Sequence, residues 1–428
     1  MPILIENIKE LVQIEDSPKL MVKGAEMAKL PTLKDAWLFI EGDKIVAFGK
    51  MKDLNKQELF FANEDIQVID AKGKMVFPSF VDSHTHLVYA APREIEYIDK
   101  IKGLSYEEIA KRGGGILNSA KKIQEASEEE LVDAAMKRLD EIISYGTGAV
   151  EIKSGYGLTT ESELKMLRVI KKLKILSPLT IRSTFLGAHS IPMEYRSNQS
   201  LYVDLVINEM LPQVAEEGLA DFIDVFCDTG FFTVEDTERI LEAGLKYGIR
   251  GKIHANELDY SGGIQAGVKY NALSVDHLEF TGDAEIEALL NSETMPTVLP
   301  GAAFFLGMVY APVRKMMDAG LPLALASDFN PGSSPSGNIQ LILSMASILY
   351  KMLPEEAINA TTINSAYAMG LSKELGSIAI GKKANVFITT EIPSYEFMPY
   401  AYGSNKVETV ILNGEIKNLP ASVGPGSV

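Results

Sequence analysis

At 428 residues the chain is too long for one small module and fits a large α/β barrel with an accessory domain. Its 41 basic and 58 acidic residues leave a net charge of −17 with the five histidines neutral. That balance argues against nucleic acid or an anionic membrane as partner, because phosphate binding needs clustered Lys and Arg. An apolar content of 46% supports a substantial core, and the single cysteine, Cys227, excludes an internal disulfide and any Cys-cluster zinc site.

The opening MPILIENIKELVQ lacks the basic-then-apolar order of a secretory signal. The longest weakly polar stretch, Val298 to Val313, is short for a membrane span and is broken by Pro300, Gly301, Gly307 and Pro312. A soluble, cytoplasmic protein is expected. WLFIEGDKIVAFGK (37–50) reads as two strands around a turn at Gly42–Asp43. The C-terminal SIAIGKKANVFITT and KVETVILNGEI are again apolar runs, broken at Gly381 and Asn413–Gly414. Strands at both ends predict a small β-sandwich built from residues 1–74 and 376–428, around an α/β core over 75–375.

Eight strand-like runs punctuate that core: 75–83, 149–156, 180–189, 222–228, 249–256, 273–279, 296–302 and 322–328. Helical patterns lie between them. Ser127 with Glu130 makes a capping box ahead of Leu131, Ala135, Leu139 and Ile142, and Thr160 with Glu163 repeats the device ahead of Leu164, Leu167 and Leu173. Eight strands alternating with helices predict a (β/α)8 TIM-like barrel, with a doubly wound sheet as the alternative that periodicity does not separate.

All five histidines fall at or just past the ends of predicted strands: His84 and His86 after the first, His189 on the third, His254 on the fifth, His277 on the sixth. Asp328 closes the eighth. A barrel delivers those ends to one rim, where catalytic loops gather. His84-x-His86 puts two imidazoles on one side of an extended segment. With a third imidazole and a carboxylate, such a pair makes a borderline N/O site suited to zinc, iron or manganese. In His254-Ala-Asn-Glu257, the carboxylate is placed to move a proton from an activated water to a leaving nitrogen, or else is a loop residue in a surface ion pair. Taken singly, His189 and His277 are equally readable as buried histidines satisfied by backbone groups. Arg93 is either a solvated arginine or a carboxylate binder. Cys227 reads as core, Lys153 as an ion-pair residue, and Gly113-Gly114-Gly115 as a plain turn or a loop over the site, since a nucleotide loop's strand and helix context is missing.

FPSFVDSHTHL with HANE, VDHLE and SDFNPG resembles the amidohydrolase superfamily of metal-dependent hydrolases. EIKSGYGLTTESELKMLR, FLGAHSIP, DVFCDTGFF and SDFNPGSSP narrow the resemblance to the imidazolonepropionase family, over nearly the whole chain. The resemblance implies that His84, His86, His254 and Asp328 hold one zinc or iron ion per chain. It further implies that Arg93, Tyr156 and His189 contact an anionic imidazolone-propanoate, and that Glu257 is both a substrate contact and the proton shuttle. His277 would polarise the ring carbonyl or orient the water, and Asn330, Gly332 and Ser333 would touch substrate or product. The implied reaction is hydrolysis of a cyclic C–N bond in histidine degradation, giving N-formimidoyl-L-glutamate, and relatives imply a homodimer in the cytoplasm. A purine or pyrimidine deaminase of the same superfamily is the alternative, and a non-catalytic barrel scaffold a second. Two departures stand out. Strand four, FIDVFCD, lacks the lysine that two-metal relatives carboxylate, in keeping with one ion, and Ser79 and Ser83 stand where glycine and proline are common.

Overall fold

The computed structural model describes residues 1–62, 65–104 and 115–417, so Gly113 and Gly114 lie outside the described residues. Strands β1 (Ile3–Val12), β2 (Thr32–Glu41), β3 (Lys44–Lys50), β4 (Gln67–Asp70) and β5 (Met75–Pro78) form the N-terminal part of a sheet. A barrel follows: β6 (Phe80–Asp82), β7 (Thr147–Lys153), β8 (Thr180–Ala188), β9 (Phe222–Cys227), β10 (Arg250–Ala255), β11 (Ser274–His277), β12 (Met295–Val298) and β13 (Ala324–Leu325). Strands β14 (Val386–Thr389), β15 (Val407–Leu412) and β16 (Glu415–Lys417) return to the first sheet, where β14 pairs with β5.

The eight barrel strands pair in chain order, every pair parallel. An isolated parallel bridge between Thr85 and Phe329 links the first strand's end to the last. That sequential order rules out the doubly wound sheet, whose strand order reverses midway. Among the described residues, no helix is long and apolar enough to cross a membrane.

Local chemistry accounts for most of the elements. The hairpin of β2 and β3 turns at Gly42, whose φ of 57° suits a residue without a Cβ, and Asn413–Gly414 makes the equivalent turn between β15 and β16. Helix Glu128–Ser144 starts with the expected capping box: the Ser127 side chain accepts from Glu130 N–H, and the Glu130 carboxylate accepts from Ser127 N–H.

Three expectations need correction. The run 75–83 is two strands. Met75–Pro78 belongs to the terminal sheet and only Phe80–Asp82 to the barrel, with Ser79 at the crossing. An unbroken apolar run carries no mark of where a chain changes sheets. The run 296–302 ends early, because Pro300 opens helix Pro300–Leu306. The cap of helix Thr160–Leu176 is Thr159, which accepts from Ser162 N–H, and Glu163 is drawn elsewhere, as described below.

Two cores result. Ile3, Ile5, Ile8, Leu38, Ile40, Val76, Val386 and Ile411 pack within the terminal sheet, while the barrel and its helices share a larger one. Phe387 on β14 packs into the barrel core, stacking on Phe77 of β5 (5.2 Å) and tilting against Phe80 of β6 (5.0 Å). Replacing Phe387 by Ala removes one of the side chains by which the sheet packs on the barrel core. Urea unfolding of that variant should show a loss of about 3–5 kcal/mol, with turnover of the folded protein unchanged.

Candidate active site

Inside the barrel, strand alternation puts charge where the pattern would ordinarily put aliphatic side chains. Glu151 and Lys153 on β7, Asp224 on β9, Lys252 and His254 on β10, and Asp276 on β11 are all buried. Lys153 Nζ lies 2.7 Å from Glu151 and 2.8 Å from Asp224; Lys252 Nζ donates to Ser83 O at 2.8 Å and pairs with Glu151. Lys153 is therefore an ion-pair residue. Isolated charges would be expelled from such an interior, but here each has a partner of opposite sign.

Above this layer the five histidines converge. Donor nitrogens of His84, His86 and His254 all lie within 4.8 Å of one another. His86 Nε2 and His254 Nε2 face each other at 3.3 Å, and Asp328 Oδ1 lies 3.6 Å from His84 Nε2 and 3.5 Å from His86 Nε2. The far sides of two rings meet carboxylates. His84 Nδ1 donates to Asp276 Oδ2 at 2.7 Å, which leaves the Nε2 lone pair free, and that buried Nε2 has no protein partner. His254 Nδ1 lies 2.9 Å from Asp224 Oδ2, although the ring is turned off-line for a hydrogen bond. Burial, then Lys153 and the neighbouring histidines, hold the His84 pKa well below the usual range; burial, then His189 and His254, do the same for His86. Burial raises the Asp328 carboxyl to about 6 against the pull of His254, Asn330 and Ser333.

This donor set fits a divalent cation. Neutral imidazole lone pairs and a carboxylate point at one spot, with carboxylates behind two of the rings as metal-binding histidines have them.

A cavity of about 380 Å³ opens over the cluster. Of the residues singled out from sequence, His86, Arg93, Tyr156, His189, His254, Glu257, His277, Asp328, Asn330, Gly332 and Ser333 line it; His84 lies fully buried beneath. His189 Nδ1 donates to Gly155 O at 3.0 Å, so its Nε2 is an acceptor, and its ring stacks on His86 at 5.0 Å. Burial and then His254 lower its pKa to about 3. His277 Nδ1 is buried, without a hydrogen-bond partner among the described residues, 3.7 Å from Glu257 Oε2. Burial, then Asp328 and Asp228, push the Glu257 carboxyl up to about 8. Arg93 donates from Nε to Ser119 Oγ at 2.9 Å, lies 5.4 Å over the Tyr156 ring, and leaves Nη2 buried with no partner among the described residues. The guanidinium faces the cavity, so the reading of Arg93 as a freely solvated arginine is set aside.

The loops are held by side chains whose part was not evident from sequence. Glu163 accepts from the N–H groups of Gly155, Gly157 and Leu158 at 3.0, 2.7 and 2.9 Å, which fixes the turn presenting Tyr156. Asp228 accepts from Glu257 N–H and Leu258 N–H at 2.7 and 2.9 Å. Asn330 uses its amide on its own loop: it donates to Asp328 O and Ser333 Oγ, and accepts from Gly332 and Ser333 N–H. Lys100, Phe226 and Phe231 also line the cavity and were not anticipated. Asp224 and Asp276 had a legible signal, a charge at an inward alternate position of an otherwise apolar strand. Cys227 is buried core, its thiol pushed up to about 11 by burial.

Comparison with known proteins identifies the family. The amidohydrolase family profile matches residues 75–417. An imidazolonepropionase of Christiangramia forsetii is 56% identical over 416 residues, covering 97% of this chain and all of that protein. In fold alone, the chain is similar to a triazine hydrolase variant (TM-score 0.75, 17% identity, 97% and 94% of the two chains) and to E. coli guanine deaminase (TM-score 0.74, 14% identity, 98% and 99%). With the sequence likeness running end to end, the chain belongs to the amidohydrolase family and, within it, to the imidazolonepropionases.

Proposed function

We propose that the chain hydrolyses 4-imidazolone-5-propanoate to N-formimidoyl-L-glutamate by cleaving a cyclic C–N bond in histidine degradation. The observation that carries this reading is one cavity holding both a guanidinium whose Nη2 has no partner among the described residues, for the substrate's carboxylate, and the His/Asp cluster with Glu257, for its ring. His84, His86, His254 and Asp328 would hold one zinc or iron ion per chain. When bound, that ion acidifies a water toward a pKa of about 7 and polarises the carbonyl oxygen.

The chain's own groups do the rest. Arg93 fixes the propanoate, and Tyr156 and His189 wall the ring on the side of His86. Glu257, 3.7 Å from His277, takes the water's proton and returns it to the leaving ring nitrogen. His277 steadies the charge that develops on the carbonyl oxygen. Burial, which raises the Glu257 carboxyl, favours its holding the proton between the two transfers. The proposal also takes the enzyme to be a cytoplasmic homodimer. A ring deaminase has no use for the buried guanidinium, and assaying ammonia release from guanine, adenine and cytosine beside imidazolone propanoate separates the two.

Glu257→Gln should keep its metal by elemental analysis, yet lose about a hundredfold to ten-thousandfold in kcat. Gly332→Ala tests the anion contact. A Cβ there would stand 2.5 Å from Arg93 Nη1, and the flexible guanidinium moves more easily than the backbone. KM should rise about tenfold in steady-state assays, with metal content and thermal stability unchanged. The metal-free protein offers a pH test. Glu257 titrates near 8 when folded against an ordinary 4.5, so the folded state holds the extra proton between those values and stability falls as pH rises through that window. Urea unfolding of the apoprotein at about pH 5 and about pH 8.5 should show that loss, and Glu257→Gln should lack this component of it.

A further inference from the structure

Arg93 is followed by the helix Glu94–Ile101, and Lys100, near that helix's end, comes back to the same wall of the cavity. The two cations meet at Gly332. Lys100 Nζ donates to Gly332 O at 3.4 Å, while the space a Gly332 side chain would fill is taken by Arg93 Nη1. Glu96, one turn before Lys100, is the ordinary i,i+4 partner for a lysine on a helix. Among the described residues, however, the ammonium forms no ion pair with it or with another carboxylate; it reaches the cavity rim instead. Partial burial and then Arg93 lower the Lys100 pKa, with Glu96 pulling the other way. Two like charges thus share one wall, one of them with a buried N–H group that has no acceptor among the described residues. Such an arrangement is unfavourable until an anion arrives between the charges.

We infer that Lys100 is a second cation of the carboxylate subsite, acting with Arg93 across Gly332 to select anionic over neutral ring substrates. The inference rests on the proposed reaction and adds to it a residue that governs specificity. Lys100 is exposed at the rim, so its replacement leaves the core and the histidine cluster untouched.

The test uses the metal-loaded protein, Lys100→Met and Lys100→Arg, with imidazole-4-propanoate and its uncharged amide as calorimetric probes. Lys100→Met should bind the acid about tenfold more weakly and the amide as wild type does, while KM for imidazolone propanoate rises by a similar factor and kcat holds. Lys100→Arg should restore acid binding. Equal weakening of acid and amide would make the residue merely structural and overturn the inference, as would no change in either. If wild type fails to turn over imidazolone propanoate but the preference for acid over amide is lost in Lys100→Met, the subsite stands and the proposed reaction falls.

Discussion

The closure of the barrel is the constraint on which the site depends. Two backbone hydrogen bonds, Asp328 N–H to His84 O and His86 N–H to Phe329 O, both 3.0 Å, tie the end of the first strand to the end of the eighth. They set the paired histidines beside the aspartate although 242 positions in sequence separate His86 from Asp328. The parallel register does the same on the other side, pairing His254 with Asp276 and Ala255 with His277. Side chains from four strand ends therefore face one point because the hydrogen-bond ladder has no freedom to slip.

Beneath that point the barrel is filled with ion pairs where aliphatic layers would be more stable. Their use is directional. Asp276 turns the His84 ring, and Asp224 meets His254, while Lys153 and Lys252 keep those carboxylates from repelling one another. The rim carries strain as well. Asn256, His277, Leu278 and Asp328 all have positive φ, a conformation that costs about 1–3 kcal/mol for residues with side chains. Of these, His277 and Asp328 line the cavity, and the strain is held by bonds such as Phe280 N–H to Asn256 O at 2.9 Å.

Much of this was legible in the sequence. Eight apolar runs alternating with capped helices pointed to a barrel or a doubly wound sheet, which only the strand order separates, and the histidines announced themselves by ending strands. The boundary inside 75–83 was hidden because β5 and β6 are both fully buried and differ only in which sheet they join. Glu163 looked like a helix cap because spacing records separation along the chain, whereas its partners are fixed by a loop folding back. The roles of Glu151, Asp224, Lys252 and Asp276 depend on which strands are neighbours, which becomes certain only when the order of the sheet is known. Lys100 was missed for a plainer reason: a lysine near a helix end ordinarily faces water.

A net charge of −17 does not prevent recognition of an acid, because the field that matters is local. Arg93 and Lys100 lie on one wall, and the carboxylates beneath the histidines are compensated by lysines and, in this account, by the cation. The most direct measurement is the position of that cation, by anomalous diffraction from crystals of metal-loaded protein collected at the metal's absorption edge. One ion per chain, about 2 Å from His84 Nε2, His86 Nε2, His254 Nε2 and an Asp328 oxygen, is the predicted result. An ion bound elsewhere, or a second ion beside the first, would contradict it.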